Sequence, residues 1–170
     1  MQDNHYTLMA RYNTWMNEKL YELCADLSDE QRKQDRQAFF RSIHGTLDHI
    51  LWGDKVWMGR FVNEPFNGPR LGQQLYEDFD AMRTERKRVD RWIEDWARQL
   101  DPGWLQAPFS FTSGQDGKTR SLPAWALVSH LFNHQTHHRG QVTTLLKQAG
   151  VHPGVTDLPW LPGLATITGE

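Results

Sequence analysis

Cysteine is almost absent from this sequence. Cys24 is the single cysteine in 170 residues, which excludes an intrachain disulfide, a cysteine-based zinc site and a two-cysteine redox motif. Long apolar runs are also missing, since no run approaches the length of about 18 residues that a membrane-spanning helix requires. The polar N-terminus lacks the pattern of a secretory signal. We therefore expect a cytoplasmic protein without a membrane segment.

Neither sign of charge is in clear excess. Nineteen Lys and Arg residues stand against 21 Asp and Glu residues, which gives a net charge of −2 with neutral histidines. This balance disfavours a nucleic-acid-binding protein that neutralises phosphates. Glu85 and Asp90 interrupt the basic run at 83–91, so we interpret that run as a solvated helix face. The length predicts one domain over residues 1–170.

Four stretches show the apolar spacing of three and four residues that is typical of amphipathic helices. They run from about Asn4 to Leu27, from Phe39–Ser42 to Phe61, from Leu75 to Leu100, and from Ser121 to Ala149. Before the last stretch, two phenylalanines alternate with polar residues and a glycine-rich turn follows, which favours a hairpin or ordered loop. The pattern predicts an all-α fold: a four-helix bundle with a short loop or hairpin insertion before the last helix.

Histidine is the most informative residue type. Six of the eight histidines fall in two short segments, residues 44–49 and 130–138. His134 and His138 lie on the apolar line of the last helix, where a polar group without a partner costs about 1–3 kcal/mol. Residues four apart on a helix project side by side, so we predict that this pair binds one metal ion. His130 is an alternative to His138, and His137 is interpreted as a surface ring.

A third ligand is expected from the second helix, which carries His44 and His49 on the two flanks of its apolar stripe. Gly45 and Gly53 lie four residues on either side of His49, so its surroundings leave room for an ion. His44 has Asp48 beside it on the helix and suits a packed or Asp-paired ring. We therefore favour His49 as the third ligand.

Two motifs resemble the DinB family of damage-inducible, metal-binding helical bundles. They are the string N-H-x-x-H-H-R-G-Q at residues 133–141 and the segment I-H-G-T-L-D-H-I-L at 43–51. The similarity extends from R-Y-N-T-W at 11–15 to T-D-L-P at 156–159. It implies a four-helix bundle, often dimeric, so we expect a homodimer. Carried over position by position, the resemblance implies that His49, His134 and His138 hold the metal.

Three neutral imidazoles leave a divalent ion with an open coordination position, as in catalytic rather than structural sites. We expect a divalent metal ion, with zinc and nickel as the leading candidates. The family includes enzymes that transfer low-molecular-weight thiols to electrophiles and a branch that isomerises maleylpyruvate with a thiol cofactor. Our first hypothesis is therefore a metal-dependent thiol S-transferase that acts on small electrophiles in stress or detoxification.

Two alternative functions remain open. A metal-dependent hydrolase would require a general base near the ion, and Asp54 is the carboxylate on the apolar stripe of the second helix. Arg86, on the stripe of the third helix, either pairs with Asp54 or holds an anionic substrate group. The second alternative is a nonenzymatic metal-binding protein of the stress response.

Overall fold

Residues 5–165 are described by the structure, which is a computed structural model. The elements are α1 (His5–Ala25), α2 (Asp29–Lys33), α3 (Ile43–Phe61), α4 (Phe79–Arg98), α5 (Pro102–Gln106), β1 (Pro108–Thr112), β2 (Thr119–Pro123), α6 (Ala124–Gln148) and a 3₁₀ turn (Leu158–Trp160). The two strands pair antiparallel as a hairpin directly before α6. The predicted four-helix bundle with a hairpin insertion is therefore confirmed, and its long helices are α1, α3, α4 and α6.

Apolar stripes of the four long helices form the core. Helix α1 packs mainly on α4, and α3 packs mainly on α6. Fully buried members of the core include Leu20, Ile43, Leu51, Met82, Ile93, Leu131 and Leu146. Each such side chain stabilises the fold by about 1.5–3 kcal/mol. None of the helices within residues 5–165 is both long and apolar enough to cross a membrane.

Helix α4 begins four residues later than the periodicity indicates. The backbone N–H groups of Leu75 and Tyr76 donate to the Asp48 carboxylate, each at 2.8 Å. Asp78 then caps the helix by accepting a hydrogen bond from the Ala81 N–H at 2.7 Å. The predicted start at Leu75 was wrong because a contact with another helix holds this segment in a non-helical path.

The ends of the other helices also differ slightly from the predicted ones. Ser121, predicted to open the last helix, pairs with Ser110 in the hairpin instead. The predicted end of α6 is accurate: Gly150 has φ +83°, and the Val151 N–H donates to the Leu146 carbonyl at 2.9 Å. This is the Schellman motif, in which glycine favours the left-handed conformation. The predicted start of the first helix at Asn4 lies outside the described residues.

Seven of the polar side chains that are at most 3% exposed form one connected group inside the bundle. This buried polar layer consists of Asn13, Asn17, Asp54, Arg86, Asp90, Gln135 and Arg139. Arg86 donates to Asp54 at 2.6 Å and lies 2.8 Å from an oxygen of Asp90. Gln135 donates to the second oxygen of Asp54 at 2.9 Å. The layer joins all four long helices. Because Arg86 and Asp90 are buried in it, the interpretation of the whole run 83–91 as a solvated helix face was wrong.

Candidate metal centre

Helices α3 and α6 bring three histidine rings together. His49, His134 and His138 each offer one ring nitrogen, and these atoms all lie within 4.8 Å of one another. The Nε2 atoms of His49 and His134 are 3.2 Å apart, and the ring centroids of His134 and His138 are 4.4 Å apart. The three residues favoured from sequence thus form one cluster.

The nitrogen spacing suits a single metal ion. Two nitrogens bound tetrahedrally at about 2.0–2.1 Å from zinc lie about 3.3–3.4 Å from each other. The separation of 3.2 Å between His49 Nε2 and His134 Nε2 is close to that value. Imidazole binds zinc, nickel, copper and iron. The three nitrogen donors therefore fit a divalent transition metal but do not identify which one.

Gln141 orients the His138 ring. His138 Nδ1 donates to Gln141 Oε1 at 2.8 Å, which leaves the lone pair on Nε2 for a metal ion. Partners of this kind fix the tautomer and ring plane of ligating histidines. This role of Gln141 was not predicted, although its position three residues after His138 places it on the same helix face.

Gly53 provides the space for the His134 ring. A Cβ atom at this position would lie 2.9 Å from His134 Cε1, and a Cβ at Gly45 would lie 2.3 Å from the Phe40 carbonyl oxygen. The expectation that both glycines leave room for an ion was therefore wrong. A ring and a backbone carbonyl occupy that space, and Gly53 matters because it allows α6 to approach α3 at the cluster.

Gly53→Ala is expected to weaken metal binding by about 10- to 100-fold, as loss of an outer-shell contact does. The added methyl group must displace His134 from its present position, whereas the bundle keeps its core. Titration with zinc in competition with a chromophoric chelator measures the change. Gly140→Ala on α6 is the matched control, because a Cβ there meets nothing within 4 Å. Equal affinities for the two variants would contradict the role given to Gly53.

The cluster holds its histidines in the neutral form. Burial, together with the neighbouring His138 ring, lowers the pKa of His49 to about 4 and that of His134 to about 3. Burial also lowers the pKa of His138. A metal ion binds neutral imidazole, so the rings are ready to bind it at neutral pH without first releasing protons.

Stability of the metal-free protein is expected to fall as the pH drops from 7 towards 5. The unfolded chain protonates these histidines near pH 6.5, whereas folded His49 and His134 stay neutral until about pH 4 and 3. The unfolded state therefore binds more protons in this window, and acid favours it. Burial raises the pKa of Asp90 to about 6. Protonation of Asp90 therefore favours the folded state as the pH falls and partly offsets the effect of the histidines.

Urea denaturation between pH 7 and 5 measures this effect, and His49→Gln isolates the contribution of one ring. The variant lacks one histidine with a lowered pKa but keeps Asp90. We expect a smaller loss of stability on acidification for His49→Gln than for the natural sequence. An identical pH dependence of the two proteins would contradict the lowered pKa of His49.

His44 lies outside the cluster and helps to hold the segment 62–78. Its Nε2 donates to the Tyr76 carbonyl at 2.7 Å, and Trp52 Nε1 donates to the Pro69 carbonyl at 2.8 Å. Asp48 lies between them on the same face of α3 and binds this segment as described above. The predicted packed ring is confirmed for His44, but its hydrogen bond is to a backbone carbonyl and not to Asp48.

The remaining candidates from the sequence offer no ligand atom to the cluster. His130 is exposed, with its centroid 5.8 Å from that of His134, and His137 is also exposed, with its centroid 4.7 Å from that of His138. Neither belongs to the three-histidine group. Asp54 and Arg86 pair with each other. The structure therefore does not support the alternative roles of Asp54 as a general base and of Arg86 as a substrate anchor. Both carboxylate oxygens of Asp54 are already engaged.

Comparison with known proteins identifies the family of this chain. The family model described as DinB family matches residues 1–170. The chain belongs to the DinB family. The protein named DinB of Bacillus subtilis (strain 168) is 28% identical to it over 159 residues, which cover 88% of each chain. The uncharacterized protein YrdA of the same organism is 28% identical over 141 residues, covering 78% of this chain and 77% of YrdA.

A crystal structure of a DinB-like protein from Bacillus cereus ATCC 10987 shares the fold. Its TM-score is 0.61 at 23% sequence identity, and the match covers 84% of this chain and 91% of that chain. At this level of identity the likeness supports the helical bundle alone. The assignment of a function to this DinB protein therefore depends on its own site.

Proposed function

We propose that His49, His134 and His138 bind a divalent metal ion, with zinc and nickel as the leading candidates, and that the protein is a metal-dependent thiol S-transferase. The observation that carries the proposal is the convergence of three neutral imidazoles from two helices, with ring nitrogens within 4.8 Å of one another. Three protein ligands are typical of catalytic zinc sites, which keep a position open for substrate.

A cavity beside His49 offers space for that substrate. Its volume is about 630 Å³, within the range of small-molecule sites, which combine apolar walls with a few polar groups. Phe40 and Trp52 contribute aromatic surface to the wall, and Ser42, Gln73 and Gln74 contribute hydrogen-bonding groups. The anchored segment 62–78 forms one side of the cavity.

The chain has no cysteine suited to act as its own nucleophile. Cys24 is fully buried in the core, and burial raises the pKa of its thiol to about 12. A divalent ion, when bound, lowers the pKa of a coordinating thiol and stabilises the thiolate at neutral pH. A thiol supplied by a small molecule is therefore the nucleophile that fits this site, and small electrophiles are the second substrate.

The two alternative functions have less support. A hydrolase needs a free general base near the ion, and Asp54, the carboxylate named for that role, is bound by Arg86 and Gln135. A purely structural ion would be needed for folding, whereas the core of this bundle is formed by apolar side chains from four helices. The homodimer and the cytoplasmic location remain predictions.

The test is metal-dependent conjugation. Protein loaded with zinc or nickel is mixed with glutathione, coenzyme A, bacillithiol or mycothiol and with monobromobimane or chlorodinitrobenzene as electrophile. We expect conjugation with at least one thiol, its loss after chelation, and its loss in His134→Ala but not in His137→Ala. Circular dichroism of the chelated protein should retain the helical signal. Metal binding without conjugation of any thiol would contradict the transferase and favour a nonenzymatic role.

A further inference from the structure

Phe40 contacts two of the three clustered histidines without offering a ligand atom. Its ring stacks on His49 with centroids 3.8 Å apart and an interplanar angle of 18°. It also meets the His138 ring edge to face at a centroid distance of 5.4 Å. Trp52 adds a second near-parallel ring to His49, at 6.0 Å. These contacts constrain the plane of the His49 ring, because aromatic pairs have preferred geometries.

The rings of the cluster are thus held by different means. His138 has the Gln141 side chain as a hydrogen-bond partner on Nδ1, and His134 fits against Gly53. For His49, the hydrogen bond in the structure is the one between its Nε2 and His134 Nε2. That nitrogen is the atom a metal would bind, so aromatic packing takes the orienting role that a hydrogen bond has at His138.

A tight turn at residues 37–41 fixes Phe40 in place. The Arg41 N–H donates to the Ala38 carbonyl at 2.8 Å to close the turn. Gln37 and Arg41 have φ of 57° and 66°, a left-handed conformation that residues with side chains adopt only when other contacts enforce it. Asp35 supplies such contacts, since it accepts from the Gln37 N–H at 2.9 Å and from the Arg41 guanidinium at 2.7 Å.

Gly45 allows this turn to pack directly on α3. The Phe40 carbonyl oxygen would lie 2.3 Å from a Cβ atom at residue 45, which is far inside contact distance. The left-handed turn at 37–41 and Gly45 together hold the Phe40 ring over His49, which lies one helical turn after Gly45 on α3. Strain of this kind is concentrated at functional sites.

We propose that Phe40 is a positioning residue of the metal centre, held by the turn at 37–41 so that its ring sets the orientation of His49 and His138. The proposal rests on the proposed binding of a metal ion by the three histidines. It assigns a role to an aromatic residue that neither binds the ion nor belongs to either histidine motif.

The first test compares Phe40→Leu with Phe40→Tyr. Leucine removes the stacked ring, and we expect about tenfold weaker zinc binding, as for other outer-shell losses. Cobalt(II) loading reports the ligand geometry directly, and its visible absorption bands should shift in Phe40→Leu. Tyrosine keeps the ring and should restore both affinity and spectrum. Trp160→Leu is the control, because it removes an aromatic ring that is 60% exposed and far along the chain from the turn at 37–41.

The second test moves the turn and keeps every side chain of the cluster. Gly45→Ala forces the Phe40 carbonyl away from α3, and we expect weaker zinc binding and an altered cobalt spectrum, with the helical signal in circular dichroism retained. This variant also tests the positioning role of Phe40 if Phe40→Leu fails to fold. Affinities and spectra equal to those of the natural sequence in the folded variants would overturn the role of Phe40 alone. Absence of zinc and cobalt binding by the natural sequence would overturn the metal site itself.

Discussion

Replacing His134 with alanine is expected to reduce the bound metal from about one ion per chain to nearly none, because two protein ligands do not form a stable zinc site. His134 Nε2 lies 3.2 Å from His49 Nε2, and its ring lies 4.4 Å from that of His138. The His134 ring thus contacts both other rings of the cluster, which also contact each other with centroids 4.7 Å apart. The loss of affinity should exceed the about 10- to 100-fold effect of removing an outer-shell partner.

Two other histidines of α6 provide controls for this experiment. His130→Ala and His137→Ala remove imidazoles from the same helix, but both rings are exposed and outside the cluster. Elemental analysis of the untagged proteins after zinc or nickel loading measures the stoichiometry. We expect values for these two variants equal to that of the natural sequence. Metal retained by His134→Ala, or lost from His130→Ala, would mean that a different set of histidines binds the ion.

The placement of His134 and His138 in the cluster was predictable because it follows from helical periodicity. His134 and His138 are four residues apart on an apolar stripe, and a stripe must face the interior of the bundle. Periodicity did not separate His49 from His44, since both lie on the flanks of the apolar stripe. His49 was chosen for its glycine neighbours, which proved to be the wrong reason, and from the family resemblance. The helix order and the hairpin before α6 were predictable as well, since each depends on contacts close in sequence.

Contacts between distant segments were not predictable from this pattern. The start of α4 depends on the Asp48 carboxylate of α3, which binds the backbone N–H groups of Leu75 and Tyr76. Phe40 lies on His49 because a left-handed turn and Gly45 place it there. Hydrophobic periodicity identifies the buried face of a helix, but it carries no information on which side chain of another segment covers that face.

The buried polar layer shows the same division between what is predictable and what is not. Pairing of Asp54 with Arg86 was one of two interpretations, because both lie on apolar stripes. The participation of Asn13, Asn17 and Arg139 had no sequence signal, since an asparagine on a helix is ordinarily exposed. Hydrogen bonds between helices keep these groups inside: Asn13 and Asn17 both donate to Asp90, at 2.8 and 2.9 Å.

Asp54→Ala is expected to lower the free energy of unfolding by about 3–5 kcal/mol, the usual effect of removing one member of a buried ion pair. Burial opposes the charged form of Arg86, but the carboxylates of Asp90 and Asp54 outweigh it and raise the pKa of this guanidinium. After the substitution Arg86 stays charged, because arginine keeps its proton at ordinary pH, and Asp90 is its remaining carboxylate partner. Gln135 loses its acceptor at the same time. Urea denaturation in the presence of a chelator measures the change without a contribution from bound metal.

Asp116→Ala in the hairpin is the control for Asp54→Ala. It breaks an ion pair of equal length, 2.6 Å from Asp116 to Arg120, but in an exposed position. Water and salt screen exposed pairs, so we expect no measurable shift of the urea midpoint. The two substitutions remove the same group, and burial is the principal difference between their sites. Surface ion pairs typically contribute less than about 1 kcal/mol. A loss of this size in Asp54→Ala would show that Arg86 finds solvent or another partner. The buried polar layer would then not hold the four helices together.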